Sequence, residues 1–204
     1  MIKGSFGLML LFGLAACGGG GDTGAGGGGG CGGGAGVAGI VLCADSVAPK
    51  YNGVLTPSVD IVQNLCTDGT PEPYFDHQAT VTITATLATG ATIPPVSPTV
   101  TITRYVIDYT ANPGVVGPTI QSTGNLFDTI TVAVGGSTSR DVQLMTTQQK
   151  ERFLLDLAGA GAFDGIFRSY AVTYTFYGQD QFGNNLTARG FGQVVIGNYQ
   201  NCAT

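Results

Sequence analysis

Five cysteines and a single histidine are the residues of this 204-residue chain best equipped for chemistry. A zinc site needs several such ligands at short spacing, and Cys17, Cys31, Cys43, Cys66 and Cys202 include no Cys-x-x-Cys pair. His77 follows Asp76, but a Ser-His-Asp arrangement also needs a serine beside an oxyanion site. No Gly-x-Ser-x-Gly surrounds Ser58, Ser97 or Ser122. His77 therefore reads as a surface-loop histidine just ahead of a strand. Asp60, Asp68, Glu72, Asp76, Asp108, Asp128 and Asp164 lie mostly at turn positions, where aspartate caps backbone groups. A pair of catalytic carboxylates is not expected from them. Asp180-Gln181-Phe182-Gly183-Asn184-Asn185 could offer the hard oxygens of Asp180, Asn184 and Asn185 to calcium. It lacks EF-hand spacing, and turn chemistry explains the same residues. No catalytic residue and no metal ligand set is assigned.

Cys17 differs from the other cysteines in its setting. Lys3 precedes a short apolar run at residues 6–12, and small residues stand directly before Cys17. This is the order of an export signal. The run is too short for a spanning helix, which takes about 20 apolar residues. Leu14-Ala15-Ala16-Cys17 resembles the lipobox of bacterial lipoproteins. The resemblance implies cleavage after Ala16, a diacylglyceryl thioether on Cys17 and acylation, as by palmitate, of the new amino terminus. It implies a cell-envelope protein held to a membrane by lipid. Gly18 stands where an aspartate resembles an inner-membrane retention signal, which favours the outer membrane. Cys31, Cys43, Cys66 and Cys202 then form an even set in a disulfide-permissive compartment. Of the three pairings, Cys66 with Cys202 and Cys31 with Cys43 is preferred.

The elements that must position these residues begin after a spacer. Residues 1–16 read as the signal peptide, 17–36 as the lipidated cysteine and linker, and 37–204 as the folded domain. Fourteen glycines fill residues 18–36. Such a segment has no side chains to bury, and as a random coil it would span about 25 Å. It carries no Gly-Lys-Ser/Thr and no flanking strand, so it is no phosphate loop.

From residue 78 onward, hydroxyl and apolar side chains alternate through Thr80-Val81-Thr82-Ile83-Thr84-Ala85-Thr86-Leu87, the period of a half-buried strand. Similar runs predict strands near 58–65, 99–110, 119–122, 128–134, 140–144, 170–177 and 186–196, with a short piece at 37–41. Residues 147–157 predict the one helix, capped by Thr146 or Thr147 and apolar at Phe153, Leu154 and Leu157. Gly190 and Gly192 inside the last run mark a bulge or room for a large neighbour such as Tyr174 or Phe176. Strands spaced by turns, without βαβ alternation, predict an all-β antiparallel β-sandwich with one short helix. The closing hairpin, Val172-Thr173-Tyr174-Thr175-Phe176-Tyr177 followed by Asp180-x-x-Gly183-Asn184, resembles the last strands of bacterial immunoglobulin-like and fibronectin type III-like modules.

Composition narrows the function classes. The formal net charge is −5, and lysine and arginine form no cluster. The electrostatic footprint of a nucleic-acid binder is absent. Tyr105, Tyr109, Tyr170, Tyr174, Tyr177, Phe182, Phe191 and Tyr199 could line a stacking platform, although alternate aromatics usually belong to a core. The expectation is a lipid-anchored, non-enzymatic structural or interaction module with a membrane and an envelope protein as partners. A glycan- or small-ligand-binding module is the second reading and a hydrolase the third. Beyond the lipid, no cofactor is expected, calcium at the 180–185 turn being the one candidate.

Overall fold

In a computed structural model, residues 39–88, 90–91, 98–161 and 167–202 are described. The signal segment, Cys17, Cys31, Ser97 and Asp164 lie outside them.

Nine strands and one helix follow one another as β1 (Ile40–Tyr51), β2 (Val54–Leu55), β3 (Ser58–Asp60), β4 (His77–Leu87), β5 (Thr99–Ala111), β6 (Leu126–Ala133), β7 (Gly136–Met145), α1 (Thr147–Gly159), β8 (Arg168–Asp180) and β9 (Asn185–Gly197). They build an all-β sandwich of two sheets. One has the order β2-β1-β4-β7 and the other β3-β9-β8-β5-β6. All pairings are antiparallel except β3 on β9, which is parallel through Ser58 with Val195 and Asp60 with Gly197. That pair corrects the expectation of a wholly antiparallel fold.

Alternation decides which face each strand buries. Ala79, Val81, Ile83 and Ala85 of β4 point inward, with threonines between them on the wet face. Tyr170, Val172, Tyr174 and Phe176 of β8 meet them from the other sheet. The core can hold tyrosines beside its phenylalanines because edge strand β7 offers spare backbone groups. Tyr105 Oη accepts from Gln143 N–H at 3.0 Å, and Tyr174 Oη donates to Gln143 O at 3.0 Å. Tyr109 Oη donates to Leu144 O. Burial raises the pKa of all three phenols, so they stay protonated in these bonds.

Three elements differ from the sequence expectation. Of the short piece at 37–41, residues 37 and 38 lie outside the described residues, and Ile40 opens a twelve-residue strand that runs on through Pro49. A bulge between Ala44 and Ser46 lets Asp45 and Ser46 stay exposed without ending it. The strand expected at 58–65 stops at Asp60, whose own carboxylate takes the Val62 N–H at 3.2 Å. The segment 119–122 is no strand. Ile120 plugs the core there, while Ser122 Oγ and Thr123 N–H both bond Ile107 O.

Close approach explains two glycines differently from the expectation. A Cβ on Gly190 would lie 2.7 Å from Val47 Cγ2 and 3.2 Å from Ala44 Cβ. On Gly192 it would lie 3.3 Å from Val47 Cγ1. The crowding neighbour is thus β1 of the facing sheet; Phe176 comes no nearer to Gly190 than 3.8 Å.

The two ends of the sandwich are distinct. Gly39, Leu87, Thr99, Gly135 and the 181–184 turn gather at the end where the chain enters. Tyr51, β3, His77, α1 and the C-terminal segment gather at the other.

Candidate functional site

The α1 end carries a buried polar cluster assembled from four separate stretches of chain. It starts from β3, where parallel pairing with β9 brings Asp60 beside the residues that follow Gly197. Asp60 Oδ1 accepts from Tyr199 N–H at 3.0 Å and Oδ2 from the Asn201 amide at 2.9 Å. Glu72 is likewise buried. Its Oε1 accepts from Asn64 N–H at 2.6 Å and the Asn64 amide at 2.8 Å, and its Oε2 from Asn201 N–H at 2.6 Å. Burial opposes the charge on both acids. On Asp60 burial and the Glu72 charge win, and the pKa is raised. On Glu72 the burial penalty is outweighed by the Asn64 and Asn201 donors, and the pKa is lowered. The same burial thus ends in opposite shifts on the two carboxylates, set by the donors each one holds. The sequence expectation of scattered turn acids does not hold for this pair. The Cys66–Cys202 disulfide closes the same region with its Cα atoms 5.6 Å apart.

His77 corrects a second expectation. It is 1% exposed, not on a surface loop, and its ring stacks on Tyr51 at 4.6 Å between centroids. Nε2–H donates to Ser58 O at 3.0 Å, which leaves Nδ1 as the unprotonated nitrogen, with no hydrogen-bond partner among the described residues. Burial, then the neighbouring Lys150 charge, lowers its pKa to about 4. Asp76 does not orient it; Asp76 Oδ1 takes the Thr147 N–H at 2.7 Å, at the start of α1.

Lys150 was not foreseen. It is fully buried, donates Nζ to Phe75 O and lies 4.4 Å from the Tyr74 ring centroid. Burial lowers its pKa to about 8, against the pull of Asp60 and Asp76. The signal in the sequence was its spacing: 150, 153 and 157 share one helix face, and Phe153 and Leu157 are core. Helix α1 is held at its start by a capping box in which Thr146 Oγ1 accepts Gln149 N–H and Gln149 Oε1 accepts Thr146 N–H.

A cavity of about 200 Å³ lies against this cluster, lined by Tyr51, Ser58, Asp60, His77, Tyr199 and Asn201 among others. A wider cleft of about 490 Å³ separates α1 from the 119–121 segment, with Gln121, Gln148, Arg152, Phe153 and Asp156 on its walls. In the first, Asp60 and His77 do converge. The Asp60 carboxylate, however, is taken up by chain donors, and His77 holds Ser58 by its backbone rather than by its hydroxyl. The arrangement fastens strand ends together more than it offers free reacting groups.

The remaining sequence candidates fall elsewhere. Asp180 Oδ1 accepts from Phe182 N–H and Asn184 N–H, each at 2.9 Å, and Oδ2 from the Asn184 amide at 2.8 Å. Asn185 Oδ1 accepts from the Gln179 amide at 2.9 Å. These are the bonds of a self-capping turn, strong enough to lower the Asp180 pKa despite its burial. Cys43 is buried and is not a free thiol, and its preferred partner Cys31 lies outside the described residues. The eight aromatics form no single platform: Tyr105, Tyr170 and Tyr174 are core, and Tyr199 packs on Phe167 at 4.8 Å.

No protein-family model matches the chain, and no curated protein does. A crystal structure of a protein from Archaeoglobus fulgidus aligns over 77% of this chain and 98% of that one, at 11% identity and a TM-score of 0.37. A likeness of that size carries no argument about fold or function.

Proposed function

We propose that this is a lipid-anchored protein of the bacterial outer membrane whose immunoglobulin-like sandwich serves as a non-enzymatic structural or interaction module. The observation that carries the reading is Leu14-Ala15-Ala16-Cys17 running into the glycine segment, ahead of a sandwich whose first described strand is β1. The entry end lies opposite α1, so a tether on Cys17 would present the α1 end and both sheet faces away from the bilayer. Lipid on a cysteine in two or three chains meets the threshold for stable anchoring.

The immunoglobulin-like assignment draws on strand order. Taking the seven long strands in sequence, the first, second and fifth share one sheet, and the seventh, sixth, third and fourth share the other. This agrees with the arrangement in which a fourth strand joins the closing hairpin's sheet. A non-enzymatic role fits acids and a histidine that bond the chain itself.

The test is metabolic labelling with radioactive palmitate, followed by affinity purification from solubilised envelopes. Label on the native chain, lost in Cys17→Ser together with a reproducible partner, is the expected result. An unlabelled chain that fractionates with soluble proteins would sink the anchor.

A further inference from the structure

The cations among the described residues are not spent alike. Lys50 pairs with Asp141, Arg140 with Asp128 and Arg152 with Asp156, while Lys150 and Arg168 are buried. Arg104 and Arg189 have no carboxylate partner among the described residues, and both stand on the outer face of the five-stranded sheet. Tyr105 and Phe176 point into the core, so Arg104 and Tyr177 beside them point out. The Arg104 guanidinium lies 3.8 Å from the Tyr177 ring centroid and is fixed from the side by Asn125 Oδ1 at 2.6 Å. Phe127, directly opposite Arg104 on β6, is 81% exposed. On β9, Arg189 lies opposite Thr175, and Phe191, 43% exposed, opposite Thr173. From β6 to β9 this face is about 14 Å wide at the usual strand spacing. Among the described residues, the acid that β5, β8 and β9 place on this face is Asp108, in the row of Phe191 and two strands from it.

We propose that this face binds an acidic polysaccharide, its uronate carboxylates on Arg104 and Arg189 and its sugar faces on Phe127 and Phe191. The proposal deepens the module reading by naming the partner's chemistry. Guanidinium groups grip carboxylates through paired charge-assisted bonds, and Arg104 is already held in place over an aromatic ring and by Asn125. Flat aromatic side chains on a sheet suit the apolar faces of pyranose rings. Charge density selects among polyanions. Duplex DNA carries a charge about every 1.7 Å and is held by clusters of cations. Two isolated guanidinia on a chain of net charge −5 match a polymer with one charge per sugar or fewer.

The test is affinity electrophoresis and calorimetry of the purified protein with polygalacturonate, neutral dextran, polyglutamate and polythymidylate. Polygalacturonate should bind, and the other three should bind at least tenfold more weakly. Arg189→Gln, at an exposed side chain, should weaken binding roughly tenfold. Phe127→Ala should weaken it severalfold while leaving the thermal midpoint in place. The proposal is overturned if polygalacturonate does not bind, if Arg189→Gln and Phe127→Ala bind as the native chain does, or if polyglutamate or polythymidylate competes equally. None of these readouts depends on Cys17, so palmitate labelling and partner capture fail or succeed separately.

Discussion

A neutral imidazole held inside a protein makes its stability depend on acid. The folded state keeps His77 uncharged down to about pH 4, whereas the unfolded chain takes up a proton near pH 6.5. The unfolded state thus binds more protons between those values, and the stabilisation present above pH 6.5 declines as pH falls toward 4. The loss is about 3 kcal/mol at most. Urea titrations from pH 7 to 4 should show this slope in the native chain and a flatter one in His77→Gln, which can still donate to Ser58 O. Equal slopes would mean that His77 is not the group responsible. Lys150 works in the same direction at higher pH: its ammonium is disfavoured by burial, so stability should rise as pH passes from 8 toward 10.5. Lys150→Met should lack that rise. Helical spacing with Phe153 and Leu157 was the one sequence signal for Lys150, and His77 had none. His77 sits beside Asp76, which suggested a wet loop, and its burial comes from Tyr51 and Ser58, packed onto it from two other strands.

Strands with strict alternation were legible at once. Runs such as 80–87 and 170–177 have a period that one sheet face explains without help from the rest of the fold. Strand β1 was not, because Asp45, Ser46 and Pro49 interrupt its alternation. A bulge absorbs the first two, and the paired strand β4 tolerates the third. What aligns β1 with the facing sheet is its fit to glycine. Gly190→Ala should destabilise by about 1–3 kcal/mol through overpacking against Val47 and Ala44. Adding Val47→Ala should recover part of that loss, which a double-mutant cycle in urea would read as a coupling between β1 and β9. Strict additivity would show that the two sheets give way at this point.

For the whole molecule, the long ring is the feature with the largest consequence. Cys66 and Cys202 are 136 residues apart, and closing such a loop stabilises by about 4–5 kcal/mol on the chain-entropy account. Reduction, or the pair Cys66→Ala and Cys202→Ala, should lower the thermal midpoint well beyond either change made in a reductant. A midpoint indifferent to reductant would remove the bond from the stability of the native state. Cysteine count left three pairings open, with Cys66–Cys202 in the preferred one; the carboxylates that hold the same two segments were not legible, since Asp60 reaches the residues after Gly197 through the parallel pairing of β3 with β9. The parallel pair, the acids and the disulfide all join residues 58–72 to residues 195–202. None of these contacts can form on a nascent chain until residues 195–202 have been made. Assembly of this end is therefore a last event, with a non-local topology that slows it. Until then the Cys66 thiol is open to a wrong partner, and thiol–disulfide exchange sets how often the chain arrives at the right one.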